Sequence, residues 1–336
     1  MMKYDVFGIG NALVDMEFKI NDDFLNEHQI EKGLMTLVEE ERQNYLLSVL
    51  SSAQNQEIKR QCGGSAANTV IAVSQFGGKS FYAYKIANDE TGLFYLNDMQ
   101  ENGVETKHSK DFLPDGITGK CMVMVSDDAE RTMNTFLGIT ATLDENEIDE
   151  EALKQSKWLY VEGYLVASPT GQQAAVKAIK LAKDFGVKTS LTMSDPNMVQ
   201  FFKENMLEII GDGLDLIFCN EAEAMHFTDT KDIAEAREAM KKYAHTFVIT
   251  QGKNGALIWD GTMFVDIEPH VVDAVDSNGA GDMYAGAFLY GITNGHSYAA
   301  AGALASLASS KVVTQFGPRL SWSQTKDVLR KYKGDE

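Results

Sequence analysis

Short apolar segments with strand character alternate with helical patterns along most of the 336 residues, and that rhythm confines the chain to a sheet whose strands are joined by crossover helices. Residues 6–9 read as a buried first strand. Residues 81–86, 158–161, 187–193, 214–219 and 247–250 read as later ones, each short and rich in β-branched or aromatic side chains. Helical patterns fall between them at 66–76, 91–102, 170–185 and 233–243. Strands linked in this way run parallel, so the expected fold class is α/β with a mostly parallel central sheet.

Two stretches break the rhythm. In 12–37, Glu17-Phe18-Lys19-Ile20 and Gly33-Leu34-Met35-Thr36-Leu37 flank a short helical piece. In 105–137, the run 118–125 is followed by Arg131-Thr132-Met133-Asn134-Thr135-Phe136. Both look like antiparallel strands of alternating polarity. Isolated strand pairs are only marginally stable, so the two insertions are expected to build one small sheet. Its expected place is a lid over the C-terminal edge of the main sheet, where doubly wound folds bind ligands. The resulting division is a large α/β unit of 1–11, 38–104 and 138–336, and a β lid of 12–37 and 105–137 covering the site.

The chain has 49 acidic and 30 basic residues, a formal net charge of -19. Nucleic acid and anionic membrane require a basic surface, so neither is an expected partner. A polyphosphate ligand would depend on local backbone donors, a metal ion and a few cations. Cys62, Cys121 and Cys219 are odd in number and widely spaced, which fits reduced thiols better than a disulfide framework or a zinc cluster. Residues 1–5 run straight into an apolar strand without a signal-peptide pattern. No apolar run approaches the roughly 20 residues of a membrane span, so a cytoplasmic location is expected.

Gly8-Ile9-Gly10 follows a strand, but the third glycine of a dinucleotide fingerprint would fall on Leu13, and strand pattern follows where a helix is needed. Gly78-Lys79-Ser80 imitates the end of a P-loop, yet Val73 stands where its first glycine belongs. The run Asp276-Ser277-Asn278-Gly279-Ala280-Gly281-Asp282 has the context these lack, with a strand-like approach before it and a small-residue helical pattern after it. At such a helix start the N–H groups of Gly279, Ala280, Gly281 and Asp282 would face an anion, with about half an elementary charge of dipole potential behind them. Asp282 could then accept a proton from an attacking hydroxyl. Taken alone, the run reads better as a tight turn with Asp282 as a cap.

Its companions shift that balance. Gly63-Gly64-Ser65-Ala66-Ala67-Asn68 is a second glycine-led turn into a helix, with Ser65 and Asn68 suited to hydrogen-bonding a polyol. Asn11 and Asp15 could receive further hydroxyls, since one carboxylate accepts from two neighbours. Asn220 and Glu223 place polar groups one helical turn apart and could order water around magnesium; alone, the pair reads better as a helix cap.

In order along the chain, these segments resemble the ribokinase-like (PfkB) family of carbohydrate and nucleoside kinases. The run 276–282 with Gly286-Ala287-Phe288 looks like its C-terminal signature, 63–68 like its N-terminal one, and Thr250-Gln251-Gly252-Lys253-Asn254-Gly255 like the strand and turn before its nucleotide site. The resemblance implies a three-layer α/β/α domain with a β lid, ATP as donor, Mg2+, and in-line transfer to a primary hydroxyl. Gly10-Asn11-Ala12-Leu13-Val14-Asp15-Met16, Ser65 and Asn278 look closer to the adenosine kinase branch than to ribokinase or fructokinase.

By this resemblance Asn11, Asp15, Gly63, Gly64, Ser65 and Asn68 would bind a ribose whose 5′-hydroxyl faces Asp282. Thr250, Gly252, Gly255 and Asn278 would meet the nucleotide, with Asn220 and Glu223 ordering water on Mg2+. Arg131 resembles a lid arginine that closes on the phosphates; the alternative is a solvated arginine. Tyr164 would stack on a nucleobase, or else belongs to the core. Asp276 and Ser321 look similar to the surroundings of a monovalent cation, so K+ is a further candidate. Inosine, guanosine or a furanose sugar are alternative acceptors, and a catalytically silent nucleotide-binding regulator is the reading from another class. Both a monomer and a homodimer paired through its lids fit this pattern.

Overall fold

A computed structural model describes residues 2–52, 57–126, 128 and 130–334. In chain order its strands are β1 (Tyr4–Ile9), β2 (Leu13–Lys19), β3 (Met35–Leu37), β4 (Glu57–Gly63), β5 (Ser80–Ala83), β6 (Val104–Glu105) and β7 (Thr118–Val125). There follow β8 (Arg131–Gly138), β9 (Ser156–Val161), β10 (Lys188–Thr192), β11 (Leu214–Asn220), β12 (Ala244–Thr250), β13 (Ala256–Trp259) and β14 (Phe264–Ile267). Among the described residues they form a nine-stranded sheet, β14-β13-β12-β11-β10-β9-β1-β5-β6, and a five-stranded one, β3-β8-β7-β2-β4.

The large sheet is parallel from β12 to β6, as strands joined by crossover helices must be, and only the β12-β13-β14 meander at one edge is antiparallel. Alternate residues of each strand feed opposite layers. Val6, Tyr82, Tyr160 and Phe218 pack with the helices Ser65–Gln75, Ala280–Thr293 and Tyr298–Val312, while Phe7, Leu159, Leu191 and Ile217 pack with the helix Pro169–Phe185 on the other face. The last helix begins and ends on local signals: the Ser168 hydroxyl accepts from the Gly171 N–H, Pro169 opens it, and Gly186 closes it at φ 71°. The ribokinase-like α/β architecture is thus present. Strand order reverses at β1, whose neighbours β5 and β9 lead away to opposite edges, and this puts a ligand crevice at the ends of β1 and β9.

The small sheet differs from expectation in two ways. Residues 12–37 and 105–137 do not complete it: β4 forms one edge and the helix Glu40–Ser52 covers its outer face, so 38–52 and 57–63, placed by sequence in the large unit, belong to the lid side. Its polar run gives no alternating signal, which is why pattern alone misses it. Nor are the strands all antiparallel, since β2 pairs with β7 and β3 with β8 in parallel. The strand expected at 81–86 stops at Ala83. Phe18, Ile20, Phe24, Leu46, Leu50, Met122 and Met124 fill the outer side, leaving Cys121 and Val123 to face inward.

Candidate active site

Gly279 takes φ 72°, a left-handed conformation that also brings it so close to Pro318 that a Cβ would overlap that ring, and the helix Ala280–Thr293 starts immediately after it. The Gly281 and Asp282 N–H groups have no protein acceptor among the described residues, and Gly281 opens onto free space. These are the first-turn donors that suit an anion. The Asp282 carboxylate is not a cap. Its Oδ1 accepts from the Ser65 hydroxyl at 2.6 Å and its Oδ2 from Asn68 Nδ2 at 2.9 Å. Ser65 and Asn68 lie one turn apart on the helix Ser65–Gln75, and Gly64 (φ 101°) precedes them where a Cβ would strike the Asn11 carbonyl. Burial pushes the Asp282 carboxyl up to about 6 against the pull of those two hydrogen bonds.

A cavity of about 370 Å³ opens beside Asp282 between the two sheets. Its polar end carries Asn11, Asp15, Gly64, Ser65, Asn68 and Asp282, so most of the residues expected at the acceptor do converge. Gly63 contributes by absence, because a Cβ there would overlap the Asp15 carboxylate. Asp15 is pushed up to about 7 by burial, against the attraction of Arg319 and Arg131. Glu162, at the end of β9, was not anticipated. It accepts from Asn11 Nδ2 at 2.9 Å and the Ala66 N–H at 2.8 Å, and burial raises it to about 7. A charged residue ending a buried parallel strand is the signal that could have found it. The rest of the lining is mixed: Leu13, Leu37, Val123, Met133 and Leu137 from the lid and Met198 and Phe218 from the large unit give it an apolar wall, and Thr135, Ser168, Thr192 and Ser194 add hydroxyls. Tyr164 joins this wall while packing on the core behind it.

A second cavity of about 300 Å³ holds Thr250, Gly252, Lys253 and Gly255, the turn after β12, with Ser277, Ala280 and Gly281. Thr250, Gly281 and Tyr284 line both cavities, which therefore meet at the start of the helix Ala280–Thr293. Asn278 lines the first cavity and not the second.

Asn220 and Glu223 form a complete capping box, in which Glu223 Oε2 accepts the Asn220 N–H and Oε1 accepts Asn220 Nδ2, both at 2.8 Å. They line the first cavity beside Thr250, and Glu223 is raised to about 7 by burial. No group of three His, Cys, Asp or Glu able to hold a metal occurs among the described residues. The two Glu223 carboxylate oxygens and the Asn220 amide oxygen each already accept one hydrogen bond within the box, and the second lone pair of each would be what meets the water shell of a magnesium ion. Arg131 does not line either large cavity. It pairs with Glu17 at 3.1 Å and with buried Asp276, which also accepts from the Gly317 and Asn278 N–H groups. Asp276 thus already faces a cation. Ser321 caps the helix Trp322–Lys333 with its hydroxyl, so neither of these two side chains is left free for a potassium ion.

An aspartate beside two hydroxyl-binding groups, at a helix start where two cavities meet, defines a kinase acting on a small alcohol. The pfkB family carbohydrate kinase model matches residues 35–325, and the chain belongs to that family. A probable sugar kinase from Rhizobium etli CFN 42 is 33% identical with a TM-score of 0.88, covering 100% of both chains. The adenosine kinase from Sinorhizobium meliloti is also 33% identical, TM-score 0.88, covering 97% of this chain and 99% of that one. A 5-dehydro-2-deoxygluconokinase of Clostridium botulinum is 27% identical over 256 residues, 71% of this chain and 74% of the relative. No helix among the described residues is long and apolar enough to cross a membrane.

Proposed function

We propose that the chain transfers the γ-phosphoryl group of ATP to the 5′-hydroxyl of a ribonucleoside, adenosine before others. The observation that carries this is the two-ended cavity. Its polar end offers a sugar Asn11, Asp15 and Glu162 next to Asp282, and its apolar wall offers a flat base Leu37, Met133, Tyr164 and Phe218. A plain furanose would use the first end and leave the second wet.

In this reading the ATP phosphates approach through the second cavity to the Gly281 and Asp282 N–H groups. Asp282, held by Ser65 and Asn68, takes the hydroxyl proton as the oxygen attacks. Magnesium carried by ATP would be held through water at Asn220 and Glu223 and would offset charge on the phosphoryl oxygens. Arg131, tied to Asp276 just ahead of the anion-binding turn, would exchange that carboxylate for the phosphates as the lid closes.

A furanose sugar kinase is the second reading, favoured by the likeness to the Rhizobium protein and to the 5-dehydro-2-deoxygluconokinase. Phosphorylation of a panel of nucleosides and free sugars with ATP and Mg2+ separates the two. Adenosine is expected to give the highest kcat/KM; a free sugar ahead of every nucleoside would refute the proposal.

A further inference from the structure

The ionisable side chains lining the acceptor cavity, apart from the Tyr164 and Tyr284 phenols and the Cys121 and Cys219 thiols, are Asp15, Glu162, Glu223 and Asp282; no lysine, arginine or histidine is among the described residues that line it. Two guanidinium groups lie behind Asp15, but both are engaged elsewhere. Arg319 pairs with Asp98 at 2.9 Å, and Arg131 with Glu17 and Asp276. Lys253 lines the other cavity. The amide and hydroxyl donors nearest the carboxylates are committed as well, Asn11 to Glu162, Ser65 and Asn68 to Asp282, and Asn220 to Glu223. An anion entering its sugar-binding end would meet the Asp15, Glu162 and Asp282 carboxylates at close range and no uncommitted side-chain cation, while the net charge of -19 adds to the repulsion.

We infer that the acceptor is an uncharged molecule, and that this cavity rejects sugar acids, sugar phosphates and nucleotides by charge. The inference rests on the cavity being the acceptor site of a kinase, and it narrows the substrate class on either the nucleoside or the sugar reading. It is specificity by exclusion, since the arrangement does nothing to attract one neutral polyol over another. ATP escapes the exclusion because its phosphates enter from the second cavity, which carries Lys253 and meets the first at the free Gly281 N–H.

The test measures kcat/KM at pH 8 for matched pairs whose anionic member keeps a free primary hydroxyl: adenosine against adenosine 3′-monophosphate, ribose against ribonate, fructose against fructose 6-phosphate. The best acceptor of the panel is expected to be uncharged. Each anionic member should fall at least about tenfold below its neutral partner, a modest demand for like charges in a partly dry cavity. A charged best acceptor, or a smaller ratio in a pair whose neutral member is turned over, overturns the inference. Repeating the most discriminated pair at pH 6 separates charge from size. Asp15 and Glu162 are pushed up to about 7, so their protonation narrows the ratio, while steric exclusion leaves it fixed and would also overturn the inference. A neutral free sugar as best acceptor would defeat the nucleoside proposal and leave this one standing.

Discussion

Asp282 was readable as a base only through its companions, and two of them, Ser65 and Asn68, turn out to hold its carboxylate. A sugar hydroxyl entering the site would compete for those contacts. Replacing Asp282→Asn should preserve acceptor affinity by calorimetry and lower kcat by about 100-fold or more, the usual loss for a general base. Near-normal turnover would remove Asp282 from that role. Because the base must be ionised and burial sets it near 6, kcat should fall as pH drops through about 6 in the unaltered enzyme, and that limb should vanish in the variant. Asp15→Ala should act differently, raising the acceptor KM with a smaller change in kcat; an unchanged KM would take Asp15 out of the binding set. Glu162 was not singled out because a glutamate ending a buried strand is a weak signal by itself, and its importance comes from Asn11 and Ala66, whose N–H groups only the fold brings to it.

At the level of elements, the parallel strands were legible because buried strands between helices read as short apolar runs, and β1, β9, β10, β11 and β12 all fall where those runs lie. The lid was legible only where its polarity alternates. β4 carries a polar run to the sheet edge, and its membership follows from pairing with β2, a contact between residues far apart in sequence. The turn at Gly279 shows where a single backbone conformation serves the chemistry. Gly279→Ala would place a Cβ against Pro318 at φ 72° and shift the start of the helix that carries Asp282. A non-glycine residue there costs about 1–2 kcal/mol before the clash is counted. The variant should lose kcat/KM for ATP by tenfold or more while its far-ultraviolet circular dichroism stays native. Unimpaired use of ATP would mean that the first-turn N–H groups are not the phosphate site.

For the molecule as a whole, the site is a store of unfavourable charge. Asp15, Glu162 and Glu223 are raised to about 7 and Asp282 to about 6, all by burial, whereas the same groups in an unfolded chain ionise near 4. Between those values the folded state holds more protons than the unfolded one, so stability must fall as pH rises from about 4 to about 7. His108, partly buried and held low by desolvation, works against this trend inside the window, but as one group against four; carboxylates held low act oppositely outside it. Asp98, where Arg319 and Cys62 outweigh burial, loses its contribution only as pH drops below the ordinary carboxylate range. The melting temperature of the ligand-free protein should therefore decline from pH 5 to pH 8. Glu162→Gln should flatten that decline, because an amide keeps the size of the side chain and removes its ionisation. Its single oxygen can still accept from the Asn11 N–H groups, while the Ala66 N–H then faces the amide nitrogen. The variant should therefore melt lower than the unaltered protein at pH 5, and the slope with pH, not the absolute melting temperature, is the readout. A saturating neutral acceptor should raise the melting temperature more at pH 8 than at pH 5, since its hydroxyls donate best to ionised carboxylates. A slope unchanged in the Glu162→Gln protein would show that the buried carboxylates do not carry the pH dependence, and would return it to the general acidity of the surface.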